Sequence, residues 1–224
     1  MQTNSPILIT GIERSGISII ARIVSTCDVF TGTCTDMTEN IKVKKCMDSL
    51  YMRMGLVPKG QYPLPDTKNL APLATWQQDI EASFNSEGCN GIPWMYKSSR
   101  ISQTWPVWHT AFPNARWIIV RRKTPDIINS CLKTGFMTAF ASGAYQKEVG
   151  AMTEADGWKW FIRQHEKIFV EMIEAGLNCR QLWPERMCSG DYLQIYETLE
   201  WCRLSWNENI VTKINPLLKK ERVN

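Results

Sequence analysis

Apolar residues along this chain fall into short unbroken runs and longer helical stripes, each closed by glycine or by charge. Pro6-Ile-Leu-Ile-Thr10 is such a run, stopping at Gly11, as expected of a parallel strand buried on both faces. Beyond the glycine turn, from Ile17 to Cys27, the residues Ile19, Ile20, Ile23, Val24 and Cys27 recur at helical spacing and predict a helix. Trp94-Met-Tyr-Lys97 and Trp117-Ile-Ile-Val-Arg-Arg122 predict two more buried strands. Both carry cations at their C-terminal ends, where open parallel sheets bind ligands. From Gly157 to Gly176 one stripe of Trp158, Phe161, Ile162, His165, Phe169, Met172 and Ile173 predicts a long helix, with Gly176 as its C-terminal cap. Arg180-Gln-Leu-Trp183 reads as a last strand before Pro184, and Asp191 to Trp201 as a closing helix. Strands alternating with helices imply an α/β fold, a three-layer sandwich around a central, mostly parallel sheet. There is no internal repeat, so residues 1–224 are expected to form a single domain. Its one long insertion is a loop at 55–75, rich in Pro, Gly and Asp (Pro58, Gly60, Pro63, Pro65, Asp66). A loop of that length is expected to serve a site, as a lid or a substrate-facing segment.

Composition narrows the possible partners. With 224 residues and 44% apolar content the chain buries enough surface to fold without cross-links. The 26 basic and 22 acidic residues leave a formal charge of +4, too small a surplus to imply nucleic acid, though it suits a compact anion. No apolar run approaches the ~20 residues of a membrane span. Met1-Gln-Thr-Asn-Ser-Pro6 has no basic n-region, so no secretory signal is expected and the location is read as cytoplasmic. The eight cysteines (Cys27, Cys34, Cys46, Cys89, Cys131, Cys179, Cys188 and Cys202) contain no CxxC pair. They are read as free thiols of a reducing compartment. His109 and His165 offer no zinc spacing and are both read as core histidines. No metal is expected.

The chemistry concentrates behind the first strand. Gly11-Ile-Glu-Arg-Ser-Gly16-Ile-Ser18 has the GxxxxGxS spacing of a phosphate-binding loop between strand and helix. Unpaired N–H groups at the helix start point at an anion, and the helix dipole adds about half a positive charge. Gly16 lets the backbone close on the phosphate, and Ser15 and Ser18 bring hydroxyls. A nucleoside triphosphatase would place lysine where Ile17 stands. Here the cation is Arg14, inside the loop, able to grip a terminal oxyanion with two hydrogen bonds.

Arg-Ser-Gly followed by an apolar residue and Ser resembles the 5′-phosphosulfate loop of sulfotransferases that use 3′-phosphoadenosine 5′-phosphosulfate (PAPS). A second signature of that family resembles Val-Arg-Arg-Lys-Thr-Pro-Asp-Ile-Ile-Asn-Ser, in which Arg122 ends a strand and Ser130 follows eight residues later. The resemblance implies that Arg122 and Ser130 hold the 3′-phosphate, while Arg14, Ser15, Gly16, Ile17 and Ser18 hold the 5′ end. Glu39-Asn40, Gly60-Gln-Tyr-Pro-Leu-Pro-Asp66, Trp105-Pro106, Phe112-Pro113 and Trp183-Pro-Glu-Arg186 further resemble small sulfotransferase-like proteins of tailed bacteriophages, over nearly the whole chain. For a phage protein, cytoplasmic means the host's cytoplasm. The implied topology is the P-loop, sulfotransferase-like one.

By that resemblance, sulfuryl passes from PAPS to a hydroxyl or amine of an acceptor, leaving 3′-phosphoadenosine 5′-phosphate (PAP). The acceptor is a saccharide, lipid, small metabolite or protein tyrosine. Arg14 is assigned to the leaving-group side and Lys97, in Tyr96-Lys97-Ser98-Ser99, to the bridging oxygen. The histidine that some members use has no counterpart in Lys97-Ser98-Ser99-Arg100. Glu39 matches the glutamate base of others, with Glu13 as its rival. Ile17 replaces a customary threonine, at a cost of about 0.5–1.5 kcal/mol for one neutral hydrogen bond. Two other readings stay open: a P-loop kinase or hydrolase, and a nucleotide-binding protein without catalysis.

Overall fold

A computed structural model describes residues 5–206 and Ile210. Among the described residues four strands form one sheet: β1 (Ile7–Gly11), β2 (Met95–Lys97), β3 (Arg116–Val120) and β4 (Cys179–Leu182). Their order is β2-β1-β3-β4, and every neighbouring pair is parallel. The helices are α1 (Ile17–Val24), α2 (Ile41–Arg53), α3 (Trp76–Asn85), α4 (Arg100–Gln103), α5 (Trp105–Ala111), α6 (Thr124–Lys133), α7 (Gly143–Glu148), α8 (Glu154–Glu174), α9 (Pro184–Cys188) and α10 (Leu193–Trp201).

Successive residues of β1 feed opposite layers. Leu8 packs with Trp117 and Ile119 against α2, α3, α5, α6 and α8, while Ile7 and Ile9 join Ile118, Val120 and Leu182 against α1 and α10. Every residue of β1 is buried, which is why its sequence is continuously apolar instead of alternating. The result is the expected three-layer α/β sandwich. From β1 the chain crosses to β2 on one side and later to β3 on the other. That reversal opens a crevice at the C-terminal ends of the strands.

Several boundaries differ from expectation for local reasons. Strand β3 ends at Val120, so Arg121 and Arg122 lie just beyond it. Helix α1 ends at Val24, and Thr26 and Cys27 continue as a turn. Helix α8 begins three residues before Gly157, because Thr153 and Asp156 form a capping box. The Thr153 hydroxyl accepts from the Asp156 N–H at 3.1 Å, and the Asp156 carboxylate accepts from the Thr153 N–H at 3.1 Å. Ile173, counted in the apolar stripe, is 43% exposed, while Ile168 is buried in the layer instead. Thr153→Ala should therefore lower stability by about 1 kcal/mol, seen as a melting temperature roughly 2–4 °C lower. Among the described residues no helix is long and apolar enough to cross a membrane.

The 55–75 segment stays irregular apart from a 3-10 turn at Thr67–Asn69. It is held down in several places. Gln61 is buried, donating to the Phe136 carbonyl at 3.1 Å and accepting from the Thr138 and Ala139 N–H groups at 3.0 and 3.3 Å. Gln103 donates to the Gly60 carbonyl at 2.7 Å and faces His165 Nε2 at 3.1 Å, and the Tyr51 hydroxyl donates to Gln103 at 2.5 Å. His165 Nδ1 lies 3.0 Å from the Phe161 carbonyl, so that nitrogen carries the proton and Nε2 accepts from Gln103. Burial pushes His165 down to about 4. It is the core histidine that its place on the stripe suggested. His109 is only half-buried, its ring tilted by 47° to that of Trp105 with centroids 6.3 Å apart.

Candidate functional site

Loop 12–16 leaves the C-terminal end of β1 and turns at once into α1. Arg14 (φ 69°) and Gly16 (φ 94°) both take the left-handed conformation. Glycine is the residue that does so without strain, and a Cβ at Gly16 would also press on Pro184 at 3.2 Å. These turns bring the N–H groups at the start of α1, which have no intrahelical acceptor, to one mouth. Beneath the loop, among the described residues, Ser15 Oγ and Glu13 Oε2 are buried without a hydrogen-bond partner.

The loop forms one wall of a cavity of about 570 Å³. Glu13, Arg14, Gly16, Ile17 and Ser18 line it on that side. Lys97, Ser98, Ser99 and Arg100 come from the end of β2, Glu39 from the turn before α2, and Lys59 and Phe136 from the rim. Four side chains that the sequence singles out for chemistry, Glu13, Arg14, Glu39 and Lys97, thus share one space. Ser15, Arg122 and Ser130 do not line it.

Arg122 and Ser130 instead connect to it through Arg14. Arg14 Nε donates to Ser130 Oγ at 2.9 Å, and Arg122 Nη1 donates to the Arg14 carbonyl at 2.9 Å. Helix α6, with Pro125 in its first turn, presents Ser130 on its second. The two motifs, read as separate in sequence, form one continuous basic structure.

Glu39 is fixed from both sides. The next residue, Asn40, caps α2 by accepting from the Val43 N–H at 2.9 Å, and its amide donates to Glu87 at 2.7 Å and to the Thr31 carbonyl at 2.9 Å. Glu39 Oε1 then accepts from the Tyr96 hydroxyl at 2.9 Å and from Arg100 at 3.2 Å. Arg100 also donates to Asp48 at 2.5 Å and to the Pro58 carbonyl at 2.8 Å, and lies over the Tyr51 ring. Gly60 makes room for it: a Cβ there would sit 2.7 Å from Arg100 Cγ. Burial works against the Arg100 charge, but Tyr96, Glu39 and Asp48 outweigh it, and the guanidinium is held above its ordinary range.

Lys97 and Glu13 are buried ionisable groups of the cavity wall, 5% and 8% exposed. Register places Lys97 beside Ile9 of β1. Burial lowers the Lys97 ammonium, partly offset by Glu39 and Glu13. Burial pushes the Glu13 carboxyl up to about 7, against the opposing pull of a 2.7 Å hydrogen bond from Ser99, of its own backbone N–H and of the charges of Arg100 and Lys97. Arg100, Tyr96 and Phe136 were given no chemical role from the sequence, and Asn40 entered only as part of the Glu39-Asn40 pair. Arg100 carried the only local signal, standing three residues after Lys97. Among the described residues no group of three His, Cys, Asp or Glu side chains is placed to hold a metal ion. Of the cysteines, Cys27, Cys89, Cys131 and Cys202 are buried thiols.

No family model and no curated protein matches the chain. Among solved structures it is similar to the sulfotransferase STF9 of Mycobacterium avium, with a TM-score of 0.61 at 12% identity over 98% of this chain and 69% of that one. It is also similar to a sulfotransferase of Alicyclobacillus acidocaldarius, with a TM-score of 0.53 at 11% identity over 96% and 92%. At such identities the likeness is one of fold. Both structures are bacterial, and neither bears on the resemblance to phage proteins.

Proposed function

We propose that the protein is a sulfotransferase that moves a sulfuryl group from PAPS to a hydroxyl or amine. The observation that supports this most is the linkage of two basic elements through Arg14, on a fold similar to that of known sulfotransferases. The residues present suit a nucleotide with phosphates at both ends. The mouth of α1 offers N–H donors without an intrahelical acceptor, and Arg14 and Ser18 stand beside it in the cavity wall. In this reading Gly16, Ile17 and Ser18 hold the 5′-phosphate end, and Arg122 and Ser130 the 3′-phosphate, with Arg14 between them. Glu39 takes the acceptor's proton. Lys97 stabilises the negative charge that builds on the bridging oxygen as the sulfur–oxygen bond breaks. The acceptor oxygen or nitrogen forms the new bond to sulfur, and the electron pair of the broken bond leaves on PAP.

Ile17 cannot contact β- and γ-phosphates as a lysine would, which disfavours nucleoside triphosphate chemistry. The test is thermal. PAP without added metal should raise the melting temperature by roughly 5–10 °C at a hundred times its dissociation constant. Arg122→Ala or Ser130→Ala should remove that shift. Stabilisation by ATP with Mg²⁺ but not by PAP would favour a kinase or hydrolase. PAP binding without transfer to any acceptor would mark a binding protein.

A further inference from the structure

One carboxyl of the cavity remains without a task in that scheme. Glu13 lies inside the anion-binding loop, where a fixed negative charge opposes an anionic ligand. It is not a stray surface residue: it is 8% exposed, and Oε1 is held by the Ser99 hydroxyl at 2.7 Å. Among the described residues, Oε2 is buried with no hydrogen-bond partner. An ionised carboxylate with one oxygen stranded in this way is costly, whereas the protonated acid carries a donor there instead.

We infer that Glu13 is the proton-carrying residue of the anion site, neutral when the nucleotide is bound, so that nucleotide binding takes up a proton at Glu13. This rests on the sulfotransferase reading for the identity of the nucleotide. The groups facing Glu13 come from several elements. Lys97 ends β2, Ser99 and Arg100 begin α4, Tyr51 is on α2, Cys131 on α6, Arg14 in the same loop and Glu39 across the cavity. The cations favour ionisation, yet burial prevails, and the free protein holds this proton up to about pH 7. An arriving polyanion adds negative charge to the same enclosed space and strengthens the hold further.

The sign follows from linkage. Glu13 is raised both above its unfolded value and again by the ligand. Folding therefore loses stability at this group as pH climbs from about 4.5 to 7. Nucleotide affinity is full below pH 7 and declines above it, by at most about tenfold per pH unit, until the bound-state carboxyl itself ionises.

Isothermal titration of PAP at pH 7.5, in buffers of different ionisation enthalpy, counts the protons. The native protein should take up about half a proton or more beyond Glu13→Gln. That difference cancels contributions from Lys97 and from the second ionisation of phosphate near pH 6. Between pH 7 and 9 PAP affinity should fall in the native protein and stay nearly level in Glu13→Gln. Equal proton counts in two proteins that both bind PAP would overturn the assignment and leave the sulfotransferase reading intact. Failure of PAP to bind the native protein at any pH would overturn that reading, and this one with it. Should Glu13→Gln not fold, Ser99→Ala supplies the same test. Loss of the Ser99 hydrogen bond should move the affinity decline to higher pH, and an unmoved profile would refute the role of Glu13.

Discussion

Lys97→Ala is expected to lower the turnover of sulfuryl transfer about 10²–10³-fold, the loss typical of removing one preorganised donor from a developing negative charge. Lys97 closes β2 in register with Ile9, 5% exposed, and shares the cavity with the start of α1. Enclosure from water is what makes its single charge effective. It also lowers the ammonium from its ordinary value, with Glu39 and Glu13 pulling the other way. PAP binding draws on Arg14, Arg122, Ser130 and backbone N–H groups in the proposed scheme, so the PAP-induced thermal shift should largely survive the substitution. Turnover within threefold of native, measured with saturating donor, would remove Lys97 from the mechanism.

Arg100→Ala is expected to be the most damaging substitution for stability, costing about 3–5 kcal/mol. For a chain of this length that corresponds to a drop of roughly 6–20 °C in melting temperature. The guanidinium is almost wholly buried and serves three acceptors at once: Glu39, Asp48 and the Pro58 carbonyl. Burial alone would raise the Asp48 carboxyl, but the bonds from Lys44 and Arg100 hold it below the ordinary carboxylate range. Truncation strands the two carboxylates near each other and frees the 55–75 segment from one of its anchors. Lysine reaches fewer acceptors than the planar guanidinium fork, so Arg100→Lys should recover only part of the loss. Thermal unfolding of the three proteins decides the matter. An Arg100→Ala protein that melts within 2 °C of native would show that the ion pairs carry no net stability.

These two residues also show what a reader of the sequence could and could not see. Lys97 was legible because it ends an apolar run, and a cation at a strand's C-terminal end is a local pattern. Strand β1, the loop after it and the stripe of α8 were legible for the same reason, since their periodicity lies within a dozen or so residues. Arg100 was not, because its partners Asp48 and Glu39 stand 52 and 61 residues away. Nothing in Ser99-Arg100 announces them. Glu13 was read as a rival base to Glu39, and its burial was not legible, because groups as distant in sequence as Ser99, 86 residues away, stand around it. The contact between Arg14 and Ser130, separated by 116 residues, likewise emerges only once β1 and β3 lie side by side. Helix boundaries slipped where short polar signals, such as the Thr153–Asp156 pair, competed with an apolar stripe for attention.

The side chain of Gln61 clamps both lips of the cavity mouth. Its carboxamide is anchored in the segment carrying Pro58 and Lys59, and it grips the backbone from Phe136 to Ala139. Neither lip swings without breaking those bonds or carrying the other along. The segment around Gln61 and the backbone from Phe136 to Ala139 are thus joined into one unit beside the cavity.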